Sequence, residues 1–333
     1  MIPSTRIQWV TFAITCIGLL LILKFGLLAA LISGLLVYHL VEIGAAVLGR
    51  VGIIPATGKV ILLVMVVLAT VALITFGVLG IESQLANGTD SIAALLQKMA
   101  DVVESGRVYL PDWVQGYLPA NIEEWQVMIA EWLRHNAGHF SVLGKEAGKA
   151  LVHIIVGMVI GGMVALDNRP ASRAPLAAAL GERMVFLARA FGRIVFSQVR
   201  ISALNTALTA VFLLAVLPAL GTPLPFAKTL VVVTFVVGLL PIIGNLISNT
   251  VIFLIALSVS ALTALLALSY LIVIHKLEYF INARIIGGQI NARAWEILLA
   301  LVTMEAMFGL PGVVAAPIYY AYLKDELAAR KLV

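Results

Sequence analysis

Charge is what this sequence has least of: 12% of its 333 residues are Asp, Glu, Lys or Arg, against about a quarter in ordinary soluble domains. With 62% of the residues apolar, such a chain has too few polar groups to cover a folded surface in water. Cysteine is nearly absent. Cys16 stands alone within an apolar run, so no intrachain disulfide can form and the residue reads as a small packing group. No Gly-x4-Gly-Lys-Ser/Thr loop is there to cradle phosphates, no Gly-x-Ser-x-Gly elbow to raise a nucleophile, and no His/Cys/Asp group at metal-ligand spacing. The Asp residues fall in loops, which removes the paired aspartates of an intramembrane protease. These absences argue against an enzyme and imply neither cofactor nor metal. The formal charge of +5 follows from loop topology and calls for no nucleic acid.

Long apolar runs are what the chain does have. A helix rises 1.5 Å per residue, so about 20 apolar residues cross a hydrocarbon core about 30 Å thick. At least five runs meet or approach that length. Backbone groups in lipid must be satisfied within their own segment, and no period-two alternation suggests a barrel. The expected fold class is therefore an all-α polytopic membrane protein whose first partner is the lipid bilayer.

The first two spans are expected at 7–23 and 25–48, a hairpin with almost no loop, because only Lys24 separates them. No small-residue cleavage site follows the first run, so it reads as a retained span. Gly49, Gly52, Pro55 and Gly58 then break the helix between Arg50 and Lys59, and a third span is expected at about 60–80. Residues 82–146 are polar and acidic, with Glu104, Glu123 and Glu124 among the acids that outnumber the bases. Basic residues, above all Arg169, Arg173, Arg183, Arg189, Arg193 and Arg200, gather between a fourth span at about 147–166 and a fifth at about 201–217. The positive-inside rule puts that basic loop and the amino terminus in the cytoplasm, and the acidic insertion outside. Within the basic segment, 174–198 fits either an amphipathic helix in the headgroup layer or an extended start of the fifth span.

The last third departs from a plain bundle. An apolar stretch over 228–260 is interrupted by Pro241, Gly244 and Asn245, which leaves arms too short to span. The same device returns where 295–308 is followed by Gly309-Leu310-Pro311-Gly312 and then 313–323. Paired Gly/Pro interruptions point to a midplane site in secondary transporters, because broken helices offer dipole ends and unpaired carbonyls; the competing reading is that they merely kink membrane helices. Asn245, Ser248 and Asn249, just beyond the first break, suit a polar solute, a monovalent cation held through oxygens, or simple hydrogen bonding between helices. Glu305, with Thr303 beside it and Gly309 four residues on, is a candidate ion-coupling carboxylate if burial raises its pKa, or else a structural ion pair. His39 and Glu42 share one helix face, so they could form a proton relay or a packing contact. His153 and His275 read as interfacial.

Further motifs carry a resemblance. Glu278-x3-Asn282-x-Arg284-Ile285-x-Gly287, the later Gly309-x2-Gly312 with Pro317, and the earlier Pro241-Ile242-Ile243-Gly244 together resemble the autoinducer-2 exporter family of bacterial permeases. The amino-terminal hairpin, the short basic loop, the insertion between the third and fourth spans, and the long helix ending in Val199-Arg200 fit it too, so the likeness extends over nearly the whole chain. Where members commonly carry a His-Pro pair, this chain has Ala292-Arg293-Ala294. The resemblance implies about eight membrane segments, two of them broken or re-entrant hairpins, and a small extracytoplasmic helical insertion. It also implies a homo-oligomer in the bacterial inner membrane that exports a small solute or exchanges sodium for protons. Glu278, Asn282 and Arg284 are then a family turn. The expected organisation is helices 1–3 over 1–81, the outer insertion over 82–146, helix 4 with the cytoplasmic helix over 147–200, the transport core over 201–323, and a cytoplasmic tail over 324–333.

Overall fold

The computed structural model describes residues 5–72, 75, 127, 131, 134–167, 174–240, 243–287 and 292–332. Among them every regular element is helical. The expectations placed on 76–126, which is most of the acidic insertion, and on Pro241 fall outside the described residues.

Helix α1 (Thr5–Lys24) and α2 (Leu28–Arg50) are joined by Phe25-Gly26-Leu27, with Gly26 at a φ of 69°. The expected hairpin thus has a real, three-residue turn rather than Lys24 alone, and its reversal uses the left-handed conformation open to glycine. Helix α3 covers Pro55–Ala72, starting at the proline because a missing N–H costs nothing in a first turn. Helix α4 (Ala137–Leu166) begins well before the fourth apolar run. At the start of that run Glu146 and Lys149 form a pair at i,i+3.

The segment with two open readings forms one helix, α5 (Pro175–Val211), with no break between the basic half and the apolar half. Past Val211 it passes through a π-helical turn, Phe212–Val216, into Leu217–Ala219. Pro218 explains the turn. It cannot donate to the carbonyl four residues back, and its ring crowds that carbonyl, so the chain relaxes to a wider bond from Leu217 N–H to the Phe212 carbonyl.

Helices α6 (Ala227–Gly238) and α7 (Ile243–Leu257) follow, then α8 (Ala261–Gly287), α9 (Ala294–Phe308) and α10 (Leu310–Ala329). Helix α10 starts earlier than the expected 313, since Pro311 fits its first turn, and it runs through residues expected to be tail.

Contacts divide the chain into two units: Met1–Thr75, Gly144–Ser197 and Ile286–Val333 form the first, Phe76–Leu143 and Gln198–Ile285 the second. In the first unit α2 and α4 approach through small residues. A Cβ on Gly34 would sit 2.9 Å from the Gly157 carbonyl oxygen, and Ser33 Oγ donates to the Ile154 carbonyl at 2.9 Å. Small residues at such a crossing let backbones touch where no hydrophobic drive exists between helices. Lys59 Nζ joins three helices by donating to Glu42 Oε1 at 2.5 Å and to the Ala165 carbonyl at 2.9 Å. The core of this unit includes Leu19, Leu187, Phe191, Ile318 and Tyr322. The second unit packs Phe212, Leu213, Leu217, Leu230, Ile252 and Leu271 together.

Five helices among the described residues are long and apolar enough to cross a membrane. Only 22% of the apolar window in α1, α2 and α4, and 6% of that in α3, is buried within the chain. Apolar faces so poorly covered from within fit a membrane-embedded protein, in which lipid meets them.

Candidate functional site

In the second unit, α6 and α7 form an antiparallel hairpin: a Cβ on Gly244 would collide with the Val237 carbonyl oxygen, and Thr234 and Ser248 hydroxyls lie 2.7 Å apart across it. The arms have 12 and 15 residues, about 18 and 22 Å of helix. Both fall short of the bilayer core.

A helix end leaves four carbonyls without partners, and here all four of α6 are met. Leu239 N–H donates to the Val236 carbonyl at 3.3 Å and Leu240 N–H to that of Val237 at 2.9 Å. The other two turn to α5, where Ser202 Oγ donates to the Phe235 carbonyl at 2.7 Å and Gln198 Nε2 to that of Gly238 at 2.8 Å. Asn205, on the same stripe, donates to Asn245 Oδ1 at 3.0 Å. Gln198, Ser202 and Asn205 follow at steps of four and three, which keeps them on one face of α5. Ser202, Asn205, Thr234 and Ser248 are all buried. A seam of neutral polar groups thus runs between α5 and the hairpin.

Of the residues singled out in sequence, Gly244, Asn245 and Ser248 belong to this seam. Asn249 faces elsewhere, into a groove of about 440 Å³ shared with Asn245, Thr250 and Lys276. Gln198, Ser202, Asn205 and Thr234 were missed. Their signal was available as a polar stripe at helical spacing, but alone it does not reveal which carbonyls it meets.

The second interruption, in the first unit, is sharper. One residue, Gly309, separates α9 from α10, at φ 62° and ψ −144°, a conformation close to glycine's own territory. Pro311 then occupies the first turn of α10, and a Cβ on Gly312 would strike the Met304 carbonyl oxygen. The hairpin is closed at its far end by Glu296, which accepts from Lys324 Nζ at 2.6 Å and from the Tyr320 hydroxyl. Thr303 lines a cavity of about 400 Å³ with Cys16, Met304 and Tyr319. Glu305 lies on an uncovered face of α9, so the burial expected for a coupling carboxylate is not supplied within the described chain. The intrahelical carboxylate that does have cationic and hydroxyl partners is Glu296, which the sequence did not mark.

His39 and Glu42 have separate partners. His39 Nδ1 lies 3.0 Å from the Leu35 carbonyl, with its ring beside Phe191, while Glu42 is engaged by Lys59; no hydrogen bond joins the two among the described residues. Glu278, Asn282 and Arg284 fall on the final part of α8, where the backbone is helical rather than a turn. The end of α10 is ionic: Glu326 lies 3.1 Å from Arg183 and 2.7 Å from Arg330, and Arg193 meets Asp325 at 2.5 Å. Among the described residues no group of three or more His, Cys, Asp or Glu could hold a metal ion.

Comparison of the chain with family models, curated proteins and solved structures found no match.

Proposed function

We propose that the protein is a secondary transporter of the bacterial inner membrane, of the autoinducer-2 exporter type, moving a small solute outward with ion coupling. The observation that supports this reading is the short-armed α6/α7 hairpin docked on α5 by side chains that meet its carbonyls. Interrupted helices at membrane depth are tolerated where they are buried in protein or line a wet cavity, and transporters use both conditions. The motif resemblance supports the same class and an oligomeric assembly.

A sodium/proton antiporter of the same family is the second reading, favoured by the neutral oxygens of Asn245 and Ser248. A scaffold or channel-like assembly is the reading from another class.

Proteoliposome flux separates the three. Counterflow of labelled small solutes that depends on an ion gradient, and that falls at least about tenfold in Asn205→Leu, is the expected result, since that substitution removes the hydrogen bond from α5 to Asn245. Movement of protons against sodium with no solute flux favours the antiporter. No flux under any gradient overturns transport. Glu305→Gln tests coupling: gradient dependence should disappear if that carboxylate titrates in the cycle.

A further inference from the structure

The cavity of about 400 Å³ beside Glu296 offers hydrogen-bond acceptors and, among the described residues, no base. It is lined from α1, α9 and α10, three helices of the first unit. Leu20 stands on the α1 side, Thr303 and Met304 on α9, and Tyr319 and Tyr320 on α10; Glu296 is the one charged residue lining it. The hydrogen of each of these two tyrosine hydroxyls is already committed. Tyr319 donates to the Leu19 carbonyl at 3.1 Å and Tyr320 donates to Glu296, so what both hydroxyls keep free is lone pairs. An ionised carboxylate likewise only accepts, and the Met304 thioether is a weak acceptor.

The structure also shows which chemistry satisfies Glu296. Its carboxylate holds an ammonium, Lys324 Nζ at 2.6 Å, together with the Tyr320 hydroxyl. Lys324 does not line this cavity. It lines a second groove, of about 210 Å³, with Trp295 and Leu327. Glu296, Leu299, Tyr320 and Leu323 line both, so the carboxylate stands in the partition, with the lysine on one side and the larger space on the other. The Lys324 and Glu296 side chains are 20% and 17% exposed, so neither is sealed in by the fold. An ammonium arriving from the larger space exchanges like for like. Glu296 keeps a counter-charge throughout, and Lys324 turns into its own open groove instead of being left buried and unpaired. An anion in the larger space would face Glu296 with no base to meet it, and a hydrocarbon would leave the acceptors unused.

We infer that this cavity binds a primary ammonium ion carried on an apolar body, with Glu296 as counter-ion, Tyr319 and Tyr320 as acceptors, and Lys324 as the built-in competitor that the ligand displaces. Its volume of about 400 Å³ suits a small amphipathic amine rather than a bare cation. The inference concerns occupancy; it goes beyond the transporter reading and does not rest on it.

The test is equilibrium binding to the full chain in phosphatidylcholine nanodiscs, with uptake by empty nanodiscs subtracted. Three labelled probes of similar shape are used: phenethylamine, neutral phenethyl alcohol and anionic hydrocinnamate. At neutral pH the amine should bind at least about tenfold more tightly than the alcohol, and the anion weakest, as expected of a charge-assisted contact. Glu296→Gln keeps the size and loses the charge, and should abolish the preference. Lys324→Met removes the competitor and should tighten amine binding by at least about fivefold, a gain that a misfolded variant cannot give. Leu20→Trp narrows the cavity from α1 and should weaken the amine and the alcohol together. Equal binding of the three probes, a preference that survives Glu296→Gln, no gain in Lys324→Met, or amine binding unmoved by Leu20→Trp each overturns the inference.

Discussion

Two helical hairpins arise from the same sequence device, glycine and proline interrupting an apolar segment, yet opposite chemistry holds them. The α6/α7 hairpin is secured by neutral groups: Ser202 and Gln198 meet the last carbonyls of α6, Asn205 meets Asn245, and Thr234 meets Ser248. The α9/α10 hairpin is secured by ions, with Glu296 bound to Lys324 and the far end of α10 held by Arg183, Arg193 and Arg330. Arm length explains the difference. Helix α10 has 20 residues and carries its charged end away from the interruption, whereas α6 has 12 and ends at buried Gly238 against α5. Full charges at such a site cost far more than amides and hydroxyls. The lesson is that a break with short, buried arms is met by dipoles, and a break with a long arm leaves room for ion pairs.

The largest effect expected from breaking this contrast is at Glu326, whose side chain is 2% exposed between Arg183 at 3% and Arg330 at 14%. Glu326→Gln leaves buried Arg183 with only the more distant, exposed Glu182 at 3.9 Å and should destabilise the protein by about 3 kcal/mol, read as a large fall in the thermal midpoint of detergent-purified protein. A loss below about 1 kcal/mol would mean that the ionic anchoring of α10 is incidental. The neutral hairpin should respond less. Gln198→Leu or Ser202→Ala orphans one carbonyl each, at about 1–3 kcal/mol, and should quicken amide hydrogen exchange at Leu239 and Leu240 while sparing α9 and α10. Equal quickening in both hairpins would erase the distinction. The smallest effect is expected from Glu42→Gln. Its side chain is 39% exposed, so losing the Lys59 pair should cost about 1 kcal/mol or less, and ion-coupled flux should persist because His39 has its own partner. A collapse of coupling in that variant would restore the proton relay.

Much of this architecture is legible in the residues. Apolar run length announces the long helices, and Gly309 with Pro311 announces the second reversal to within a residue, because glycine's left-handed freedom and proline's missing donor are local properties. Boundaries were less legible where a helix runs past its apolar residues: α4 reaches back to Ala137, and α10 continues through Lys324, Glu326 and Leu327 to Ala329, good helix formers whose propensity does not stop where hydrophobicity does. The continuity of α5 was undecidable locally, as both readings of 174–198 are helical. The candidate site was half legible. Asn245 and Ser248 stood out as polar groups beside a break, but their partners Asn205 and Thr234 are 40 and 14 residues away in sequence. Glu305 drew attention as a charge in an apolar run, yet exposure is set by which way α9 faces, and it faces outward.

By itself the sequence determined that this chain is helical, that its long helices need an apolar environment, and that two of its segments are interrupted, because these follow from hydrophobic run length, backbone hydrogen-bond demand and the stereochemistry of glycine and proline. Tertiary structure alone decided which polar groups meet. It gave the carbonyls of α6 to Gln198 and Ser202 and placed Glu326 between two arginines. Pairing depends on how helices are rotated and stacked, and that is fixed by packing between residues far apart in the chain.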